Sequence, residues 1–119
     1  MKKLTKKEEQ IMSVFWEKGR MFVKELRELY SDPKPHFNTL STQVRTLESE
    51  GFLGHDAYGA SYQYYPVVTR EEYSRFSLSG VVDKCFGNSY LGVVSALVKE
   101  EKISVDELKE LIDKIEKGE

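Results

Sequence analysis

The chain has 119 residues, with 18 Lys and Arg against 20 Asp and Glu and a formal net charge of −2. A balance this near neutrality excludes a non-specific polycation that coats nucleic acid, but leaves room for a binder whose basic residues are grouped. The single Cys85 excludes an intrachain disulfide and any multi-cysteine metal site, and 39% apolar residues suffice for one modest core.

Met1-Lys2-Lys3 leads into a charged segment, not an apolar leader, and the longest uncharged run, Cys85 to Val98, is too short to span a bilayer. A soluble, cytoplasmic protein without membrane insertion is expected. Cys85, within an apolar run, reads as a buried small residue. Thr5 and Glu8 form a capping-box pattern that opens a first helix; Ile11, Met12, Phe15 and Trp16 give it a wide apolar face, and Gly19 ends it. Lys2, Lys3, Lys6 and Lys7 cluster at its start, which reads first as a solvated terminus and second as a source of one or two phosphate contacts. Met21-Phe22 suggests a tiny strand. Val23, Leu26, Leu29 and Tyr30 then mark a helix of about two turns. The two prolines of Ser31-Asp32-Pro33-Lys34-Pro35 force a turn.

The next segment, Phe37 to Glu50, carries Phe37, Leu40, Val44 and Leu47 as one apolar stripe of a helix. Asn38, Thr42, Arg45 and Ser49 fall on the opposite face, flanked by Thr39, Ser41 and Thr46. An ordinary solvated face carries Lys and Glu at i,i+4 spacing, whereas short side chains that both donate and accept hydrogen bonds suit the DNA major groove. Two helices joined by a turn, the second with such a face, make a helix-turn-helix arrangement. A solvated Ser/Thr-rich helix without a partner is the plain alternative.

Gly51 stops this helix. Phe52–Ala57 and Ser61–Val67 read as the strands of a hairpin with its tip near Tyr58–Ser61, and Pro66 confines the second strand to an edge or its own end. Helix, short strand, helix, turn, helix, hairpin is the order of a winged helix. The fold class expected is therefore mainly α with a small β-wing: a winged helix-turn-helix DNA-binding domain over residues 1–68 and a helical dimerisation module over residues 69–119. The first part holds 10 basic and 9 acidic residues, the second 8 and 11, so the basic excess sits with the reading helix.

In the second part Thr69 and Glu72 open a helix to about Phe86, Asn88 or Ser89 caps another, and Ser104 with Glu107 caps the last. Val82, Phe86, Leu91, Val94, Leu97, Leu108, Leu111, Ile112 and Ile115 supply more apolar surface than three such helices enclose within one chain. An interdigitated homodimer is the expected solution, and packing back on the winged domain is the alternative.

Taken together, LTKKEEQIMSVFWEKG, VKEL, NTLSTQVRTLESEGFL, YQYYP and SVDELKELI resemble the penicillinase-repressor family, with its BlaI, MecI and copper-responsive CopY branches. The resemblance covers essentially the whole chain. It implies a dimeric winged-helix repressor of antibiotic-resistance (beta-lactam) or stress genes that binds an inverted-repeat operator through consecutive major grooves. The DNA-contacting set it suggests is Asn38, Thr39, Ser41, Thr42, Arg45 and Thr46, with His55 and Tyr58 from the wing. Arg45 has two open roles, a guanine read bidentately or a phosphate. Asn38 and Ser41 stand where better-known relatives are basic, and the wing tip DAYGAS lacks their lysines. The cysteine ligands of the copper branch are absent. Resistance repressors are cut at an Asn-Phe bond through a membrane protease sensor pathway; the equivalent bond here is Ala96-Leu97, and neither residue matches.

Enzymatic readings find no support. His36 and His55 are isolated, and no phosphate-cradling glycine loop, nucleophile elbow or Cys/His pairing is present, so neither cofactor nor metal is expected. Two non-enzymatic alternatives stay open: a winged-helix protein-interaction module and a regulator responsive to a small ligand.

Overall fold

A computed structural model describes residues 1–118. The elements run α1 (Lys6–Lys18), β1 (Met21–Phe22), α2 (Val23–Glu28), α3 (Phe37–Ser49), β2 (Leu53–Tyr58), β3 (Ser61–Pro66), α4 (Arg70–Cys85), α5 (Tyr90–Lys99) and α6 (Val105–Glu116). This order, mainly helical with a small antiparallel sheet, is a winged helix followed by further helices.

The capping box of α1 forms as its sequence predicts. Thr5 Oγ1 accepts from the Glu8 amide at 3.2 Å, and Glu8 Oε1 accepts from the Thr5 amide at 2.9 Å, so two amides left without helical partners are satisfied. Ile11, Met12 and Phe15 then face the core with Leu26, Leu40, Val44, Leu47, Phe52 and Tyr64. The second helix is shorter than its apolar residues suggest. It ends at Glu28, and Leu29 is exposed because it caps the helix past the last turn that faces the core.

Glu8 is buried apart from 9% of its surface and lies 3.1 Å from Lys2 Nζ, which also meets Glu50 at 2.8 Å. Lys2 thus bridges α1 to the end of α3. The Glu50 and Glu8 carboxylates raise its pKa above the ordinary value of 10.5. Burial pushes the Glu8 carboxyl up, but the Thr5 backbone, the Lys2 ammonium and the Thr5 hydroxyl outweigh it, and the net pKa falls below the ordinary 4.5. The folded state therefore binds this proton less readily than the unfolded chain. The stabilisation from Glu8 is complete above pH 4.5 and is lost as pH falls through the lower folded value. In urea titrations between pH 6 and about pH 3, Glu8→Gln is expected to flatten this part of the acid destabilisation. An unchanged acid limb refutes the assignment.

The sheet has strand order β1-β3-β2, all antiparallel. Met21 pairs with Tyr64 and Phe22 with Gln63, while β2 and β3 pair from Leu53↔Pro66 to Tyr58↔Ser61. Pro66 lies at the strand end, where its missing amide breaks no interior ladder. The hairpin closes through Gly59-Ala60, with Gly59 at φ 62°, a left-handed geometry that favours glycine at the first position of a tight turn. Strand β2 begins one residue later than its apolar pattern suggests. Phe52 instead serves as a junction: its amide donates to Leu47 O at 2.9 Å, and its carbonyl accepts from Val67 at 2.8 Å.

Thr69 and Glu72 cap α4 reciprocally, and the Tyr73 hydroxyl accepts from the Leu4 amide at 2.8 Å, tying the start of α4 to the N-terminal segment. Two compact units result, one from Met1 to Ser77 and one from Leu78 onward. In the second, Ser89 caps α5 by accepting from Gly92 at 2.9 Å, and Ser104 and Glu107 form the capping box of α6. The described residues contain no helix long and apolar enough to cross a membrane.

Cys85 is exposed, contrary to the reading of it as a buried small residue. The apolar residues of late α4 are spread around the helix, and of Val81, Val82 and Cys85 only Val82 is buried. Continuity of apolar sequence does not guarantee burial where a unit has too little mass to cover every face.

Candidate nucleic-acid interface

The angle between α2 and α3 is held by side chains that bond to backbone across the turn. Arg27 Nε donates to Pro35 O at 2.8 Å, and Lys34 Nζ donates to Tyr30 O at 2.5 Å and Glu28 O at 3.2 Å. Lys34 thereby satisfies carbonyls at and just beyond the end of α2, and Arg27 reaches from α2 to the turn just before α3. Helix α3 then presses Leu40, Val44 and Leu47 into the core, each at most 1% exposed. Gly51, at φ 85°, closes it in a conformation other residues reach only with strain.

The opposite face is open. Asn38, Thr39, Thr42, Arg45, Thr46 and Ser49 are exposed, and Ser41 is half-buried at the edge. The hydroxyls of Thr42 and Thr46 donate back to Asn38 O and Thr42 O, at 2.9 and 3.0 Å, and Ser49 donates to Thr46 O at 2.8 Å. With their protons turned inward, these threonines offer outward lone pairs and methyl groups. Such a surface matches amino donors and thymine methyls at base edges. Arg45 lies along the helix, with Nε 3.4 Å from Ser41 O and Nη2 3.3 Å from Thr42 Oγ1. These long contacts are weak enough to release the guanidinium to a partner. His36, isolated in the sequence from any metal-binding or catalytic partner, is the N-cap of α3: its Nδ1 accepts from Asn38 N at 3.4 Å.

The wing residues are placed differently from one another. His55 is half-buried, its Nδ1 is bonded to Glu48 of α3, and its ring stacks on Tyr62 at 4.1 Å. Its contacts fasten β2 to α3. Tyr58 is 57% exposed beside the turn, with an edge contact to Phe22 at 6.0 Å. At the base of the wing Arg20 meets Asp56 at 2.6 Å and lies over the Tyr65 ring at 4.5 Å. Burial, with the Glu48 carboxylate, raises the pKa of Tyr64 beneath this surface.

Phe37 departs from the apolar-stripe expectation. It is 45% exposed because, at the first turn of α3, it projects beyond the core that receives Leu40. It lines a cleft of about 540 Å³ together with Phe22, Lys24, Ser41, Tyr58, Ser61 and Tyr62. No local pattern in the sequence marks this cleft, because its lining comes from β1, α2, α3 and the hairpin.

The apolar residues assigned to a dimer all lie in the second unit. Val82 is fully buried within the single chain; Phe86, Val94, Leu97 and Leu108 are half-buried; Leu91 (83%), Leu111, Ile112 and Ile115 (65%) are exposed. Among the described residues no group of three or more His, Cys, Asp or Glu side chains is arranged to hold a metal ion.

No curated protein matches the chain closely enough to count as a relative. The model of the penicillinase repressor family matches residues 4–117, which takes in α3, the hairpin and all three C-terminal helices. With nearly the whole chain matched and a winged helix observed, the protein belongs to the penicillinase repressor family of transcriptional regulators.

Proposed function

We propose that the protein is a sequence-specific transcriptional repressor that binds an inverted-repeat operator as a homodimer and inserts α3 in the major groove. The observation that carries this reading is the open face of α3. Asn38, Thr39, Thr42, Arg45 and Thr46 stand exposed on a helix whose other side is locked in the core. A rigid helix with that face reads base edges without first ordering itself. One helix spans too few base pairs for useful specificity, so two copies at fixed spacing are needed. The exposed Leu91, Leu111, Ile112 and Ile115 support self-association of the second unit. Membership of the family supports antibiotic-resistance (beta-lactam) or stress genes as the controlled class.

Relief of repression by proteolysis at Ala96-Leu97 is disfavoured. That bond lies inside α5 with both residues half-buried, and neither matches the bond cut in resistance repressors.

Anisotropy titration of the full chain with duplex DNA from upstream of its own gene, against a scrambled duplex at several salt concentrations, tests the proposal. Tighter binding to the upstream sequence is expected; equal affinity for both, or none at moderate salt, overturns it. Arg45→Ala is expected to weaken operator binding by about 1–3 kcal/mol without altering the oligomeric state. Its selectivity separates the open roles: relaxed discrimination at one base pair marks a base contact, and a uniform loss marks a phosphate contact.

A further inference from the structure

We infer that the aromatic cleft between α3 and the wing is a binding site for one strand of the sugar–phosphate backbone, with Lys24 as its phosphate ligand and Phe37 as its sugar-packing wall. The inference rests on the DNA-binding reading above and extends it to residues outside the α3 face.

Three observations point to that occupant. The first is the balance of donors. Ser41, Tyr58, Ser61 and Tyr62 bring four hydroxyls to the cleft, and none of them bonds to another described residue, unlike the Thr42, Thr46 and Ser49 hydroxyls. Phosphate oxygens are acceptors, so unspent hydroxyl protons suit them. The second is charge. Lys24 makes no ion pair with another described residue, and the carboxylate of Glu25, the acidic residue of the lining, accepts from the Phe22 amide at 2.9 Å. The nearby acidic groups of the wing and α3 are also engaged, Asp56 by Arg20 and Glu48 by His55. The lining thus offers an anion one cation without an ion pair among the described residues, while its single carboxylate, Glu25, stays anionic with one oxygen held by the Phe22 amide. The third is shape and position. The cleft is open, its walls are the exposed rings of Phe37, Tyr58 and Tyr62, and it borders Ser41 at the edge of the reading face. A chain of alternating apolar sugars and anionic phosphates fits a groove with apolar walls and a cationic rim. The strand that leaves a major groove occupied by α3 is the adjacent candidate of that chemistry.

This site also accounts for a net charge of −2 in a DNA-binding chain. Affinity comes here from a few unpaired donors in the right place and not from a general positive field.

The test uses the full chain and two duplexes, the upstream sequence and its scrambled counterpart, with anisotropy measured across a range of salt. Lys24→Ala is expected to reduce the slope of log K against log salt by about 1 on both duplexes, the signature of one lost phosphate contact. Phe37→Ala is expected to lower affinity for both by the same factor and to leave the salt slope unchanged. Both side chains are outside the buried core, so circular dichroism and thermal unfolding are expected to match the parent chain. If the parent chain binds the upstream duplex and both variants match it in affinity and slope, the cleft does not hold the backbone and the inference is overturned. If the parent chain binds neither duplex, the repressor reading itself fails first. A Lys24→Ala effect confined to the upstream duplex assigns a base contact and likewise overturns the backbone assignment.

Discussion

Replacing Leu111 with Asp is expected to dissociate the proposed homodimer and to lower operator affinity by at least about 10³-fold, the lower bound of the usual gap between specific and non-specific binding. Leu111 is 53% exposed on the single chain, and its neighbours Ile112 and Ile115 are exposed to a similar or greater degree. These residues follow Leu108 along α6 at helical spacing and form one apolar stripe. A carboxylate placed in such a stripe costs little in the monomer, where water reaches it. In a closed interface it is desolvated without a partner, which costs several kcal/mol in each copy. The variant should therefore fold normally and fail to pair. Sedimentation velocity reads the mass, and anisotropy reads the loss of the second half-site. A dimeric Leu111→Asp chain with parental affinity would remove α6 from the interface.

Phe52→Ala is the largest expected loss of stability. The ring is 1% exposed and lies edge-on to Tyr73 at 6.0 Å, where the wing and the start of α4 converge. Truncating a buried Phe costs about 3–5 kcal/mol through lost transfer energy and the cavity left behind. A domain of this size has about 5–15 kcal/mol in total, so the variant should be partly unfolded at moderate temperature. Urea unfolding followed by circular dichroism measures the change. A loss below about 1 kcal/mol would mean that the site collapses to fill the void, and that Phe52 joins its neighbours through its backbone bonds alone.

Much of this molecule is legible in its residues because the signals are local. The pairs Thr5/Glu8, Thr69/Glu72 and Ser104/Glu107 each place a helix start, and each forms the reciprocal bonds its spacing implies. Asn88 and Ser89 were indistinguishable as caps by type. Ser89 caps α5, while Asn88 takes a φ of 67° in the preceding turn. Leu40, Val44 and Leu47 are buried as their period requires, but Phe37 is not, since periodicity defines a face without saying where along the helix the core ends.

The candidate site divides in the same way. By sequence alone, the order of elements, the three capping boxes and the outward face of α3 were determined, because spacing along one helix settles which residues share a side. Whether a residue on that side is free was decided by tertiary contacts. His55 and Tyr58 looked alike as wing residues, yet the partners Glu48 and Tyr62 hold the first inward, while the second is open beside the turn. Lys2 and Lys24 are both lysines near helix starts, and Glu8 and Glu50 occupy the first while the second meets no carboxylate among the described residues. The cleft belongs to tertiary structure alone. Its walls come from β1, α3 and the hairpin, segments far apart in the chain, and only the packing of α3 against the sheet brings their rings and hydroxyls to one place.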